Sequence, residues 1–361
     1  MRVSIHTLKI TLIVTSILPT GPIKIVEEII RKNKLNCKFI ILVIGYKNLN
    51  DIEFSKNVNI IYLNSKFNLF KFCNVLKGIN SNIIHCHGFR SLFFQIIFNI
   101  FFKKSHVKTV VTMHSDIFTE FPIVFGKIKS LLLIKIYKLL ISKIDFVICG
   151  ANHIRENLIK NFKIEIDKIF TIKNGIKICD TYNTKKDKKK FITVSHLSKL
   201  KNIKFLIDVF KNLDENYQLY IYGRGDQAKF LKSYLNQQNK NIFFIDFHEE
   251  ISEVYQTALC YLSASKSEGL PLSVLEAVTS GCNLLLSNIN AHKEIIRDLK
   301  MKEDNLFNLN VYDNLKNKII DLGEFNRKIS EHHIKKSRQI YSSEVMAGKY
   351  FLMYKKFANE K

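Results

Sequence analysis

The stretch SEGLPLSVLEA, residues 267–277, holds two glutamates, Glu268 and Glu276, with seven residues between them. The chain has 56 Lys and Arg against 32 Asp and Glu, so acids are scarce, and this stretch also holds Pro271, one of only four prolines. Proline suits the first turn of a helix, where its missing N–H costs nothing. Leu272, Val274, Leu275, Ala277 and Val278 continue that helix, and Gly281 stops it. Glu268 then sits in the loop before the helix and Glu276 in its second turn. Gly269 permits a backbone approach that a side chain would block. The free N–H groups of a helix start attract phosphate. A carboxylate in the loop can accept hydrogen bonds from sugar hydroxyls on one side of that phosphate. A second carboxylate, a turn and a half further on, can accept from ribose hydroxyls on the other. Each such charge-assisted bond is worth about 1.5–3 kcal/mol. A sugar nucleotide has this order of parts. The same residues would also make a capped helix with acids near its positive end, and the chemistry alone leaves both readings open.

Other residues offer less. His85 and His87, two apart at a strand end, suggest a metal, but no acid pair lies near them in sequence. Ser265, Ser267 and Ser273 have no evident His–Asp partners for a serine nucleophile. Asp116, beside His114, reads equally well as a helix cap. His332–His333 reads as surface.

Two doubly wound halves would position such a site. Ile10 to Val14 reads as a first buried strand, followed by the loop TSILPTGP and a helix from about Ile23 to Lys34. Phe39–Ile44, Ile60–Leu63, Ile83–His85, Lys108–Met113 and Phe146–Cys149 read as further buried strands with helices between them. This is the rhythm of a parallel sheet covered on both faces. It restarts after NGIKICDTYNTKKDKKK, with strands at Phe191–Ser195, Gln218–Tyr222, Ile242–Ile245, Cys260–Ser263 and Asn283–Ser287. The expected domains are residues 1–176, a basic linker 177–190, residues 191–341, and a C-terminal helix 342–361 packing back on the first domain. Ligands of such sheets bind at the carboxyl ends of strands.

The 361 residues are 47% hydrophobic and 24% charged, a globular composition. The formal net charge of +24 suits an anionic membrane or a phosphorylated substrate. The chain has no Trp and no basic motif interleaved with aromatics, so nucleic acid is not expected. The densest basic cluster, Lys185, Lys186, Lys188, Lys189 and Lys190, reads as a solvated linker. Seven cysteines without a CxxC pair point to a reducing compartment, without disulfides or zinc. The start reads as a strand and not a signal peptide, and no run reaches the length of a membrane span. The longest candidate, Leu92 to Phe102, reads as a core or an interfacial helix.

SEGLPLSVLEAVTSGCNLLLSN closely resembles the E-x7-E segment of the retaining glycosyltransferases of family 4. NIIHCHG, TVVTMHSD, FVICGANHIRENLIKNF with IFTIKNGI, FITVSHLSKLKNIKFLIDVF and LYIYGRGDQAKFL extend the resemblance over most of the chain. It implies the GT-B fold, an α/β architecture of two Rossmann-like doubly wound domains facing a central cleft. It also implies roles. Glu268 would contact the donor sugar, Glu276 the ribose, and Lys201 the diphosphate, helped by the amides of Gly269 and Leu270. His114 would orient a sugar hydroxyl, and Gly21, in the loop after the first strand, would allow donor or acceptor to come close. The family usually has Gly-Arg where this chain has Ser195-His196. His196 lacks the permanent charge of arginine, so Lys201 would carry more of the phosphate charge, or Arg224 would reach in, or the activity would be weak. The paired glycines of the first loop are reduced to Gly21-Pro22.

The resemblance thus implies a retaining hexosyltransferase type of enzyme, with a UDP-sugar as expected donor and no obligatory metal or other cofactor. The acceptor would be a hydroxyl of a lipid-linked glycan in bacterial capsule or O-antigen assembly. The protein is expected in the cytoplasm, held peripherally on the inner, anionic face of the cell membrane. The rivals are a sugar-nucleotide epimerase or hydrolase on the same fold, and an inactive relative that binds membrane or nucleic acid.

Overall fold

KITLIV and KFIILV are near-continuous apolar runs, and a strand written this way must be covered on both faces. They form β1 (Lys9–Val14) and β2 (Lys38–Val43), paired in parallel. The computed structural model of the chain describes residues 7–359 apart from 34–36, 50, 55–57, 65–67, 103, 180–186, 236–238, 247–250 and 326–328. The chain divides into two compact units.

The first unit comprises residues up to Phe118, Lys127–Gly175, and the segment from Ser343 onward. Its sheet adds β3 (Asn59–Tyr62), β4 (Ile83–His87), β5 (Lys108–Met113), β6 (Phe146–Cys149) and β7 (Ile169–Thr171). The strand order is β3-β2-β1-β4-β5-β6-β7. Helix Ser343–Asn359 completes this unit by burying Met346, Tyr350, Phe351, Tyr354 and Phe357. The ring of Phe357 stacks on Phe146 with centroids 3.8 Å apart.

The second unit holds β8 (Asp187–Val194), β9 (Gln218–Tyr222), β10 (Ile242–Ile245), β11 (Ala258–Ser263), β12 (Asn283–Ser287) and β13 (Leu306–Phe307). Their order is β10-β9-β8-β11-β12-β13, all in parallel. The first six strands of the other sheet follow the same rule, outward in one direction from the first strand and then outward in the other. That reversal is the switch point of a doubly wound sheet, where ligands bind. The core packs Phe205, Leu206, Phe210 and Leu231 against Leu219, Ile221 and Leu262 of the strands.

Three local expectations change. Helix Gly21–Arg31 begins at Gly21 itself, so Gly21 is an exposed helix residue and not part of the preceding loop. The early start follows from Pro22, whose fixed φ suits a first turn. Strand β8 begins at Asp187, so Lys189 and Lys190 lie in a strand and not in a solvated linker. Their ammonium groups sit over the rings of Tyr217 and Tyr220, at 5.2 and 5.0 Å. Lys185 and Lys186 fall outside the described residues. Pro271 stands one position earlier than expected, as the N-cap of helix Leu272–Thr279, with φ −70° and ψ 115°.

Candidate active site

At the switch point of the second sheet, β8 and β11 lie side by side and their carboxyl ends release two loops. A pocket opens there, lined by Ser195, Lys201, Ser263, Ala264, Ser265 and Glu268. The Lys201 ammonium donates to Glu268 Oε1. Ser265 Oγ donates to the same oxygen at 2.7 Å. The two loops are also joined through their backbones, with Lys266 N donating to Leu200 O at 2.8 Å. Support comes from β12: Ser287 Oγ donates to Ser265 O at 2.6 Å, and His292 Nδ1 donates to Ser287 O at 2.8 Å. Burial by itself would raise the Glu268 carboxyl. The Lys201 charge and the Lys201 and Ser265 hydrogen bonds outweigh it and hold Glu268 below the ordinary carboxylate range.

Gly269 and Leu270 are buried between Glu268 and the helix start. The N-cap residue of helix Leu272–Thr279, Pro271, gives the first turn no side-chain hydrogen bond. That turn is tied to β8 by Tyr261, whose hydroxyl is 2.8 Å from Ser273 Oγ and donates to Val194 O at 3.2 Å. Glu276, half-buried in the second turn, accepts from the Tyr255 hydroxyl at 3.0 Å through Oε2. Burial and the neighbouring Glu276 carboxylate push the Tyr255 phenol well above its ordinary value, so it stays a donor. Gly281, at φ +81°, lets the chain leave the helix, with Cys282 N bonded to Ala277 O at 2.9 Å.

His196 and Arg224 occupy two loops pressed together by glycines. A Cβ on Gly223 would come within 1.9 Å of Ser195 O, and one on Gly225 within 2.3 Å of Leu197 O. Leu197 N donates to Arg224 O at 2.8 Å. The His196 side chain is 71% exposed and lies 4.0 Å from an Asp226 carboxylate oxygen. Arg224 is exposed as well. Lys201 is therefore the cation held against Glu268, while His196 and Arg224 stand at the rim of the same strand ends.

His114 belongs to the first unit, at the carboxyl end of β5. Its Nε2 lies 2.9 Å from Nδ1 of His87, at the end of β4. His85, one pleat below, is bonded to the Tyr354 hydroxyl at 2.8 Å and to Thr112 Oγ1 at 2.7 Å. Burial lowers all three imidazoles, His85 to about 3 and His114 to about 4. They are neutral side chains in a hydroxyl network, and two hydroxyls take the nitrogens of His85 that a metal would need. Asp116 caps a turn, accepting from Phe118 N at 3.1 Å and from Asn157 Nδ2 at 2.8 Å. Gly21 opens a helix of this first unit.

Sequence reasoning passed over Tyr255, Tyr261 and His292, and weighed His87 only as a metal ligand. Tyr261 shows only as a polar tip inside the apolar run ALCYLS, and Tyr255 and His292 lie in mixed helical stretches where no pattern marks them.

The family model described as "Glycosyl transferases group 1" matches residues 177–339, and "Glycosyltransferase Family 4" matches residues 55–178. The capsular polysaccharide biosynthesis glycosyltransferase CapH of Staphylococcus aureus is 30% identical over 261 residues, covering 68% of this chain and 71% of that protein. The chain belongs to glycosyltransferase family 4. The O-antigen biosynthesis glycosyltransferase WbnH of Escherichia coli is 30% identical over 171 residues, 47% of this chain and 49% of WbnH, so that match spans about half of each. Among solved structures, TarM superposes with a TM-score of 0.80 over 99% of this chain and 100% of its own, at 14% identity. HepE of Anabaena in complex with UDP-glucose gives 0.78 over 97% and 100%, also at 14% identity. These likenesses show the GT-B fold. This family-4 glycosyltransferase thus carries its acidic pair at the switch point of its second Rossmann-like unit.

Proposed function

We propose that the protein is a retaining transferase that moves a sugar from a UDP-sugar to a hydroxyl of a lipid-linked glycan. The observation that carries this reading is the pairing of Lys201 with Glu268 immediately before the start of the helix that holds Glu276. Glu268 takes the sugar hydroxyls, Lys201 and the first-turn amides take the diphosphate, and Glu276 takes the ribose. His114 holds a sugar hydroxyl. Transfer then needs stabilisation of the leaving diphosphate above all. The bond from the anomeric carbon to the diphosphate oxygen breaks, and the acceptor oxygen bonds on the same face. Its proton passes to the leaving phosphate. Lys201 and the helix start supply the positive charge, so no metal is obligatory in this reading, and activity is expected to survive a chelator.

Several likenesses support the choice of substrates. CapH and WbnH are described as capsule and O-antigen biosynthesis enzymes. A further Escherichia coli relative, 26% identical over 268 residues, is described as a UDP-Gal transferase acting on a diphosphoundecaprenol-linked sugar. The protein would then work at the inner face of a bacterial membrane.

The deciding experiment is the binding of UDP, GDP and ADP to the purified chain, with Glu276→Ala alongside. UDP binding that the variant loses supports the reading. Preference for GDP or ADP would change the donor. No binding by a folded chain would reduce the two glutamates to a helix start.

A further inference from the structure

Helix Lys127–Ile141, KIKSLLLIKIYKLLI, has large apolar residues on every side, with four lysines among them. Such a helix ordinarily lies within a core. This one buries only Ser130, Tyr137 and Ile141. On the opposite side, Ile128 is 88% exposed, Leu131 63%, Leu132 60% and Leu139 70%. With 3.6 residues per turn, positions 128, 131, 132, 135 and 139 fall within an arc of about 100°. Exposed leucines scattered singly are ordinary, but four large aliphatics aligned along one helix are not.

The stripe has a definite charge setting. Lys135 lies within it, Lys127 and Lys138 flank one side, and Lys129 flanks the other. Neither this helix nor its neighbour, helix Phe89–Phe102, contains an acidic residue. The neighbour packs beside it through Phe89 and Tyr137, with ring centroids 5.1 Å apart. Toward its far end that helix exposes Ile100 and Phe101, with Phe102 under the Lys77 ammonium at 3.5 Å.

We propose that the outward face of helix Lys127–Ile141 docks in the plane of an anionic lipid bilayer. The four aliphatic side chains enter the boundary between head groups and acyl chains. The lysine stems lie along that apolar layer and their ammonium groups reach the lipid phosphates. A second copy of the chain fits less well. A two-fold contact would set this patch against itself, lysines facing lysines with no carboxylate between them. The helix lies on the bilayer and does not cross it: among the described residues no helix is long and apolar enough to span. The proposal deepens the reading of a lipid-linked acceptor and rests on that reading for its purpose, though not for its geometry.

The test is sedimentation of the full chain with phosphatidylcholine vesicles and with vesicles that also contain phosphatidylglycerol. The double variants Leu131→Glu/Leu132→Glu and Lys135→Glu/Lys138→Glu are run beside it. All these side chains are exposed, so the fold is expected to survive, and circular dichroism checks it. The wild type should bind anionic vesicles at least roughly tenfold more tightly than neutral ones, and come off near 1 M salt, where the Debye length is only about 3 Å. Each variant should lose about tenfold or more. Equal binding to both vesicle types, no binding to either, or unchanged binding by the variants overturns the proposal. So does a wild-type dimer in ultracentrifugation that the variants dissociate, which would make the stripe a self-association face. UDP binding by the same samples separates the two ideas. Docking without binding of UDP, GDP or ADP would sink the proposed sugar-nucleotide reading and leave this one standing.

Discussion

Lys201 and Glu268, 67 residues apart in the chain, neutralise each other at the mouth of one strand pair. The cation assigned to the diphosphate and the carboxylate assigned to the sugar are each other's partner when no donor is bound. A diphosphate must therefore compete with Glu268 for the Lys201 ammonium. Glu268→Gln should remove that competition, tightening UDP by roughly three- to tenfold while transfer falls at least about tenfold, the scale of one charge-assisted bond. Calorimetry of UDP binding and a transfer assay on the same variant give both numbers. Loosened UDP binding would mean that Glu268 helps to hold Lys201 in place more than it competes for it. Because the Glu268 carboxyl lies below its ordinary range when folded, its contribution to stability is present above that range and is lost as pH falls through the folded value.

The Tyr255 hydroxyl holds Glu276 through Oε2 at 3.0 Å. Tyr255→Phe keeps the buried ring and removes this bond. UDP affinity should fall by about three- to tenfold, as expected for a loss near 1 kcal/mol. Glu276→Ala should do more harm to the fold, since it leaves a buried phenol without that acceptor at a cost of about 1–3 kcal/mol. Paired titrations and thermal melts distinguish the two. Equal UDP affinity in Tyr255→Phe and wild type would show that Glu276 needs no such support.

His87 and His114 share one proton between facing nitrogens 2.9 Å apart. Nε2 of His87 is buried and meets no hydrogen-bond partner among the described residues. A proton there would be an orphaned donor, which folded proteins avoid. The arrangement places the His87 proton on Nδ1, donating to His114 Nε2, and leaves the His114 proton on Nδ1. Nitrogen-15 imidazole spectra should show both rings in that tautomer. In His87→Ala, the His114 signals should shift toward a tautomer mixture, with kcat reduced and UDP affinity unchanged. An unchanged His114 spectrum in the variant would rule this out.

The same cluster sets an acid limit. Folded His85 and His114 titrate near 3 and 4, well below the ordinary value of 6.5. The unfolded chain takes up protons as pH drops below about 6.5 while the folded chain does not. Stability is therefore complete above that value and should fall by about 1.4 kcal/mol per pH unit for each buried ring, down toward pH 4. Urea unfolding between pH 7 and 4.5 measures the slope. His85→Gln should flatten it.

Gly223 is irreplaceable on two counts, a φ of +145° and Ser195 O only 1.9 Å from where a Cβ would sit. Gly223→Ala should cost about 3 kcal/mol, from backbone strain and the forced parting of two loops. A melting curve would show it. A variant as stable as wild type would mean that the 195–197 loop gives way freely.

Strands were legible wherever an apolar run stood unbroken: Lys108–Met113, Gln218–Tyr222 and Asn283–Ser287 stand where the sequence places them. The edge strands β7 and β13, three and two residues long, carry too little pattern to be seen. Glu268, Lys201 and Glu276 could be picked out because their types and spacing have a chemical meaning in one dimension. Their partners could not. Tyr255 and Ser265 look like core and loop residues until the fold brings their hydroxyls to the carboxylates. The His87–His114 bond joins residues 27 apart on neighbouring strands, a pairing that only the sheet register reveals.

Helix Ser343–Asn359 lies far along the chain from the sheet it completes. Phe357 stacks on Phe146, and Tyr354 reaches His85. During synthesis the first sheet emerges from the ribosome early, yet the whole second unit is made before the helix that covers it. Until then the surface around Phe146 and the pair His85 and Thr112 stands open to water. The second unit can close on its own while the first waits, so the order of maturation reverses the order of translation. A nascent chain halted just before Ser343 would hold a complete second sheet and a first sheet still lacking its last helix.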